Sequence, residues 1–183
     1  MLLLLAVVFL GPMAIAMALY YTGFQWRPEG TMEHGELFRP ARPLPPVIMS
    51  LVKPNGGTAT LQGKWTLIYA GPGECAAACQ QALFEIRQVR LALGRDRDRV
   101  QRLYCVTAGT PDRGFLQAEH PGIGILEVGS SGQELISVIG QVHDGDIFIA
   151  DPLGNLMMRY PAGTGMKGIH EDLQHLLKVS TIG

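Results

Sequence analysis

Trp65-Thr66-Leu67-Ile68-Tyr69-Ala70-Gly71-Pro72-Gly73-Glu74-Cys75-Ala76-Ala77-Ala78-Cys79-Gln80 holds a strand, a break and the opening of a helix in quick succession. Residues 65–70 are rich in aromatic and β-branched side chains, which suit a pleated, buried backbone. Gly71-Pro72-Gly73 ends that strand. Downstream, Leu83, Ile86, Val89 and Leu93 recur near a 3.6-residue period, predicting a helix from Cys75 to Leu93 with Gly94 as its stop. Two cysteines therefore stand where a strong strand gives way to the first long helix.

Outward from there, Val100 to Thr107 reads as the next strand. Val47 to Val52 and Thr58 to Gln62 read as short strands around the turn Lys53-Pro54-Asn55-Gly56-Gly57. A polar, Pro- and Gly-containing stretch follows residue 107, then a short apolar run over residues 124–128. Ile147-Phe148-Ile149-Ala150 and Leu156-Met157-Met158-Arg159-Tyr160 flank Asp151-Pro152-Leu153-Gly154-Asn155, a hairpin signal. A last helix is predicted from Met166 to Val179, with Ile169, Leu173, Leu176 and Leu177 on its apolar side. Strands and helices in this order predict an α/β or α+β domain, of which α/β, with a central sheet flanked by helices, is the expectation.

The chain has 183 residues, of which 47% are apolar and 17% charged, with a formal net charge of −1. That length allows one ordinary domain and little more. The near-neutral balance gives no electrostatic reason to expect nucleic acid as a partner. The charges are unevenly spread, because residues 1–26 contain no Asp, Glu, Lys or Arg. Leu2 to Tyr21 is long and apolar enough to cross a bilayer, with Tyr20, Tyr21 and Trp26 placed as an interfacial belt. Residues 1–24 are thus expected to form one N-terminal transmembrane anchor; a cleaved signal peptide, with Ala16-Met17-Ala18 as its cleavage site, is the competing reading. Arg27, Arg39, Arg42 and Lys53 follow this segment, which the positive-inside rule would keep inside, whereas long C-terminal domains translocate regardless. Pro28, Pro40, Pro43, Pro45 and Pro46 make residues 25–46 a Pro-rich linker. Within it, Glu33-His34-Gly35-Glu36-Leu37 can be read as a metal site because His34 lies between two carboxylates, but a solvated linker is the expectation, since no helix or strand is expected to hold those ligands together. Residues 47–183 remain as the folded domain.

Cys75 and Cys79 are four apart, a spacing that on a helix puts them on one face with β-carbons about 5–6 Å apart. That suits a disulfide, two thiolates on one metal ion, or a structural staple. A helix N-terminus favours thiolate, the form that attacks disulfides and binds soft metals. Cys105 lies in an apolar strand and is expected to be a buried, inert thiol. Glu74 and Asp144 are expected to be solvated loop carboxylates. Met157, Met158 and Met166 are read as hairpin and helix core, and His170 and His175 as surface positions.

A strand ending just before C-x-x-x-C, with a later His143-Asp144-Gly145-Asp146-Ile147-Phe148-Ile149-Ala150-Asp151-Pro152-Leu153-Gly154, resembles the Sco (SenC) copper chaperones of cytochrome c oxidase assembly. Ala76-Ala77-Ala78 stand where Sco proteins carry Pro and Asp, which makes this a divergent member. The resemblance implies a thioredoxin-like fold from Val47 onward, preceded by one transmembrane helix. It also implies that Cys75, Cys79 and His143 bind one copper ion per chain. A single-pass protein of the inner membrane, with its C-terminal domain in the periplasm, would follow, and an oxidase subunit or another assembly factor as partner. Two other readings stay open: a membrane-tethered thiol–disulfide oxidoreductase using Cys75 and Cys79 as a redox pair, and a non-catalytic interaction domain with a structural disulfide.

Overall fold

A computed structural model describes residues 1, 7, 9–15, 17, 33–53, 55–127 and 129–182. The chain divides into two compact units, Met1–Thr31 and Met32–Gly183. In the first, the described residues between 7 and 17 are helical. Among the described residues no helix is long and apolar enough to cross a membrane; most of the expected 1–24 anchor, and the linker up to residue 32, lie outside the described residues.

The second unit is built on one eight-stranded mixed sheet. Its strands are β1 (Glu36–Pro43), β2 (Ile48–Leu51), β3 (Thr58–Thr60), β4 (Trp65–Gly71), β5 (Val100–Val106), β6 (Gly124–Leu126), β7 (Ile147–Ala150) and β8 (Asn155–Tyr160). They lie in the order β1-β8-β7-β4-β5-β6-β2-β3. β4 is central, pairing parallel with β5 and antiparallel with β7, and every residue in it is buried. A strand apolar but for Thr66 suits that position, because both of its faces are covered. Trp65, Leu67 and Tyr69 enter one core, while Ile68 and Ala70 enter the other.

Helix α1 (Ala77–Ala92) crosses over between the parallel strands β4 and β5. It buries Cys79, Ala82, Leu83, Ile86 and Val89, the i, i+3, i+4, i+7 stripe that a helix needs against a sheet. Each fully buried Leu or Ile there contributes roughly 1.5–3 kcal/mol. The polar stretch after β5 contains two helices that its composition hid, α2 (Arg113–Glu119) and α3 (Ser130–Ile139). Asp112 caps α2 by accepting a hydrogen bond from the Phe115 amide at 3.0 Å, a start signal that outweighs the Gly and Pro nearby. Leu135 and Ile139 of α3 enter the core on the face opposite α1. Helix α4 (Met166–Val179) packs Ile169, Leu173 and Leu177 into the α1 side. Helices thus cover both faces of the sheet.

Residues 36–43, expected within the tether, instead form the edge strand β1, antiparallel to β8. Its two prolines, Pro40 and Pro43, do not prevent this, since an edge strand needs only one side of its backbone for pairing. Met158 is buried and Met157 half-buried, as expected of a hairpin core, whereas Met166 is exposed at the start of α4.

Beside the α1-side core lies a buried polar pair. Arg102 donates to the Pro121 carbonyl at 2.7 Å, and His120 is 3% exposed. Burial, then the Arg102 and Arg87 guanidinium groups, push the His120 pKa down to about 4, with Glu119 opposing. The folded form therefore keeps this imidazole neutral while the unfolded chain takes up a proton near pH 6.5. Stability should fall as pH drops from 6.5 towards 4, by a contribution on the order of 2 kcal/mol. Denaturant titrations across that range should show a shallower acid slope for His120→Asn; equal slopes would refute this origin.

Candidate redox and metal site

The site begins where β4 runs out. Gly71 accepts from the Thr107 amide at 2.9 Å and Gly73 donates to the Ala108 carbonyl at 2.7 Å, so the break after β4 stays fastened to the chain leaving β5. A Cβ on Gly73 would lie 2.6 Å from the Thr110 carbonyl carbon. Only glycine permits that approach. The loop then turns into Cys75, and the helix starts two residues later than its periodicity predicts, with Ala76 as N-cap. Cys75 therefore precedes α1 and Cys79 sits in its first turn.

The two sulfurs are joined as a disulfide, with Cα atoms 5.1 Å apart. Cys79 is buried and Cys75 half-exposed. Cys75 lines a shallow depression of about 580 Å³ with Gly73, Glu74, Gln80, Thr110 and Phe115. Glu74 is solvated, as expected. The first turn of α1 contains no acidic side chain, so nothing there offsets the positive end of the helix.

Two tyrosines back the cysteines. The Tyr104 hydroxyl lies 3.8 Å from Cys79 Sγ and donates to the Pro72 carbonyl. Its ring stands 5.6 Å from that of Tyr69, its register partner across β4 and β5. The Tyr69 hydroxyl donates to Asp144 at 3.1 Å. Burial pushes the Tyr104 pKa up to about 12, and burial followed by the Asp144 carboxylate raises that of Tyr69. Both phenols stay protonated near neutral pH and act as hydrogen-bond donors. Asp144, expected to be only solvated, thus ties the His143 loop to β4.

That loop stands at the cysteine end of the sheet, because Ile147, the first residue of β7, pairs with Tyr69 near the end of β4. His143 is 62% exposed at its side chain. Its Nδ1 lies 2.6 Å from Arg159 Nη2 and 3.4 Å from Asp146 Oδ2. While Nδ1 accepts from Arg159 the ring proton rests on Nε2. With Arg159 Nη2 swung off Nδ1, Nδ1–H would donate instead to Asp146 and free the Nε2 lone pair for a metal, the arrangement by which carboxylates orient ligating histidines. Asp146 is buried and also holds the His143 amide at 3.1 Å. Asp146 and Arg159 escaped the sequence reading; their one signal was a charged residue at the mouth of each apolar hairpin strand. Among the described residues no three His, Cys, Asp or Glu donors already surround one point.

Cys105 is fully buried in β5, and burial pushes its pKa up to about 12. A thiol so shielded is inert.

Residues 65–180 match the family model described as transmembrane-like, thioredoxin-like, C-terminal domain. The chain belongs to that family. Its thioredoxin-like fold is shared with Sco structures. Copper-bound ScoI from Bradyrhizobium japonicum is 23% identical with a TM-score of 0.53, over 71% of this chain and 98% of that one. Apo Sco1 from Thermus thermophilus is 21% identical with a TM-score of 0.57, over 82% and 99%. Copper-bound yeast Sco1 is 18% identical with a TM-score of 0.61, over 76% and 95%. No curated protein matches the sequence. The thioredoxin-like domain is thus a divergent, Sco-like one in fold.

Proposed function

We propose that this chain is a membrane-anchored copper-binding assembly factor for a haem–copper cytochrome c oxidase. Cys75, Cys79 and His143 hold one copper ion as cargo, and the domain stands in the periplasm from a single-pass anchor in the inner membrane. The observation that carries this reading is the shared location of the cysteine pair and the His143 loop at one end of β4, linked through Tyr104, Tyr69 and Asp144. The copper-bound state of the Sco structures with this fold supports it. Two thiolates and an imidazole suit copper in either oxidation state. Loading requires that a dithiol reductant first deliver two electrons and two protons to the Cys75–Cys79 bond, becoming a disulfide itself. The copper recipient is then an oxidase subunit or another assembly factor.

One observation favours a second reading. Cys75 is open to a surface depression while Cys79 is buried behind it, the asymmetry of a thiol pair that meets a protein substrate through one sulfur. A tethered thiol–disulfide oxidoreductase would use that asymmetry without any need of His143. His143→Ala in the full-length chain separates the two. Copper affinity should fall about 10- to 100-fold, while the Cys75–Cys79 redox equilibrium, read by thiol alkylation in glutathione buffers, stays as in the parent. Unchanged copper affinity would remove His143 from the site and put the oxidoreductase reading ahead.

A further inference from the structure

His34 does not float in a tether. Its amide and that of Gly35 donate to Asp172 Oδ2 at 2.8 and 3.2 Å, and its Nδ1 lies 3.1 Å from Asp172 Oδ1. Asp172 is buried on α4 and also accepts from the Tyr160 hydroxyl at 3.0 Å. Gly168, one turn earlier, leaves the notch: a Cβ there would lie 2.8 Å from the Cβ of His34. Sequence-distant groups thus fix both the position and the tautomer of this ring, since Nδ1–H donates to the carboxylate and leaves the Nε2 lone pair outward. That carboxylate–imidazole arrangement is the one that orients histidine metal ligands.

What Nε2 faces is Glu171 Oε2, at 3.4 Å. Two donors bound to one zinc-type ion at ~2.0–2.1 Å and a tetrahedral angle stand about 3.3 Å apart. His175 follows Glu171 at i+4, so both lie on one face of α4. His34, Glu171, His175 and Glu33 all line one cavity of about 660 Å³. We propose that His34, Glu171 and His175 form a binding site for a zinc-type divalent cation, separate from the cysteine site. Imidazole and carboxylate suit such an ion, whereas monovalent copper prefers sulfur. Because no three donors already surround one point, the ion held by His34 and Glu171 draws in the exposed His175 by side-chain rotation. Lys167 reaches Glu171 Oε1 at 3.8 Å and Lys178 lines the same cavity; both compete with the cation.

The test uses the full-length chain with Cys75–Cys79 oxidised, so that the cysteines cannot ligate. Titration with Co²⁺ should give the intense visible bands of a low-coordinate site at one ion per chain, displaced by Zn²⁺. Glu171→Gln and His175→Ala alter exposed positions, so both should fold and bind at least about 10-fold more weakly. His34→Ala should abolish the bands, and His143→Ala should leave them intact. No bands in the oxidised parent, bands untouched by Glu171→Gln and His175→Ala, or bands lost with His143→Ala would each overturn the site. None of these results bears on copper binding by the reduced cysteines.

Discussion

Reduced protein is expected to bind one copper ion at least about 1,000-fold more tightly than oxidised protein, because oxidation removes two of the three proposed ligands at once. A disulfide sulfur carries no anionic lone pair, and His143 alone is an exposed loop imidazole. Reduction restores two thiolates in a setting built to favour them. Cys79 lies in the first turn of α1, whose free N–H groups and lack of acidic side chains lower the cost of negative charge. The Tyr104 hydroxyl, 3.8 Å from Cys79 Sγ, stays protonated while it donates to the Pro72 carbonyl, so it places no negative charge beside the sulfur. Anaerobic competition against a chromophoric Cu(I) chelator, run on both redox forms of the full-length chain, measures the ratio. Equal affinities would place copper away from the cysteines.

Asp146→Ala should be the most damaging single change near the site, costing about 3 kcal/mol and lowering Tm by about 6–12 °C. Asp146 Oδ2 accepts from Arg159 Nε at 2.9 Å, from Arg159 Nη2 at 2.8 Å and from the His143 amide at 3.1 Å. The carboxylate is only 2% exposed and the guanidinium 21%. Removing one partner of such a pair leaves a largely buried charge unpaired, which costs more than the pair contributes. Glu36, 3.2 Å from Arg159 Nη1, is solvated and can compensate for little of this. Asp146→Asn keeps an acceptor for the His143 amide, so it should lose less than the alanine variant. The alanine variant should also weaken copper binding, since the loop loses its anchor. A thermal melt within about 2 °C of the parent would show that the pair contributes only as a surface bridge.

Much of the architecture followed from local pattern. Aromatic, β-branched and mostly apolar residues at 65–70 marked the central strand, because such a run suits a strand covered on both faces. The stripe through Leu83, Ile86 and Val89 marked α1, and the 147–160 hairpin announced itself through Asp151-Pro152-Leu153-Gly154. Where pattern was thin, the outcome differed. Glu36–Pro43 looked like a tether because its prolines are unfavourable in most strands, yet β8 offers it an edge. Helices α2 and α3 are short and their cores rest on a few residues, such as Leu116, Leu135 and Ile139, too few for a clear period.

The sequence by itself determined the α/β class, the central strand, the placing of Cys75 and Cys79 at a helix opening, and the burial of Cys105, because each depends on spacing within one short segment. Only the tertiary structure decided that Tyr104 and Tyr69 stand between the cysteines and the His143 loop, that Asp146 clasps Arg159, and that His34 is seated on Asp172 and Gly168 of α4. Those contacts join residues far apart in the chain, and a lone Tyr, Asp or His carries no local periodicity. What fixes such a side chain is the sheet order that brings its partner within hydrogen-bond reach, which is a property of the whole fold.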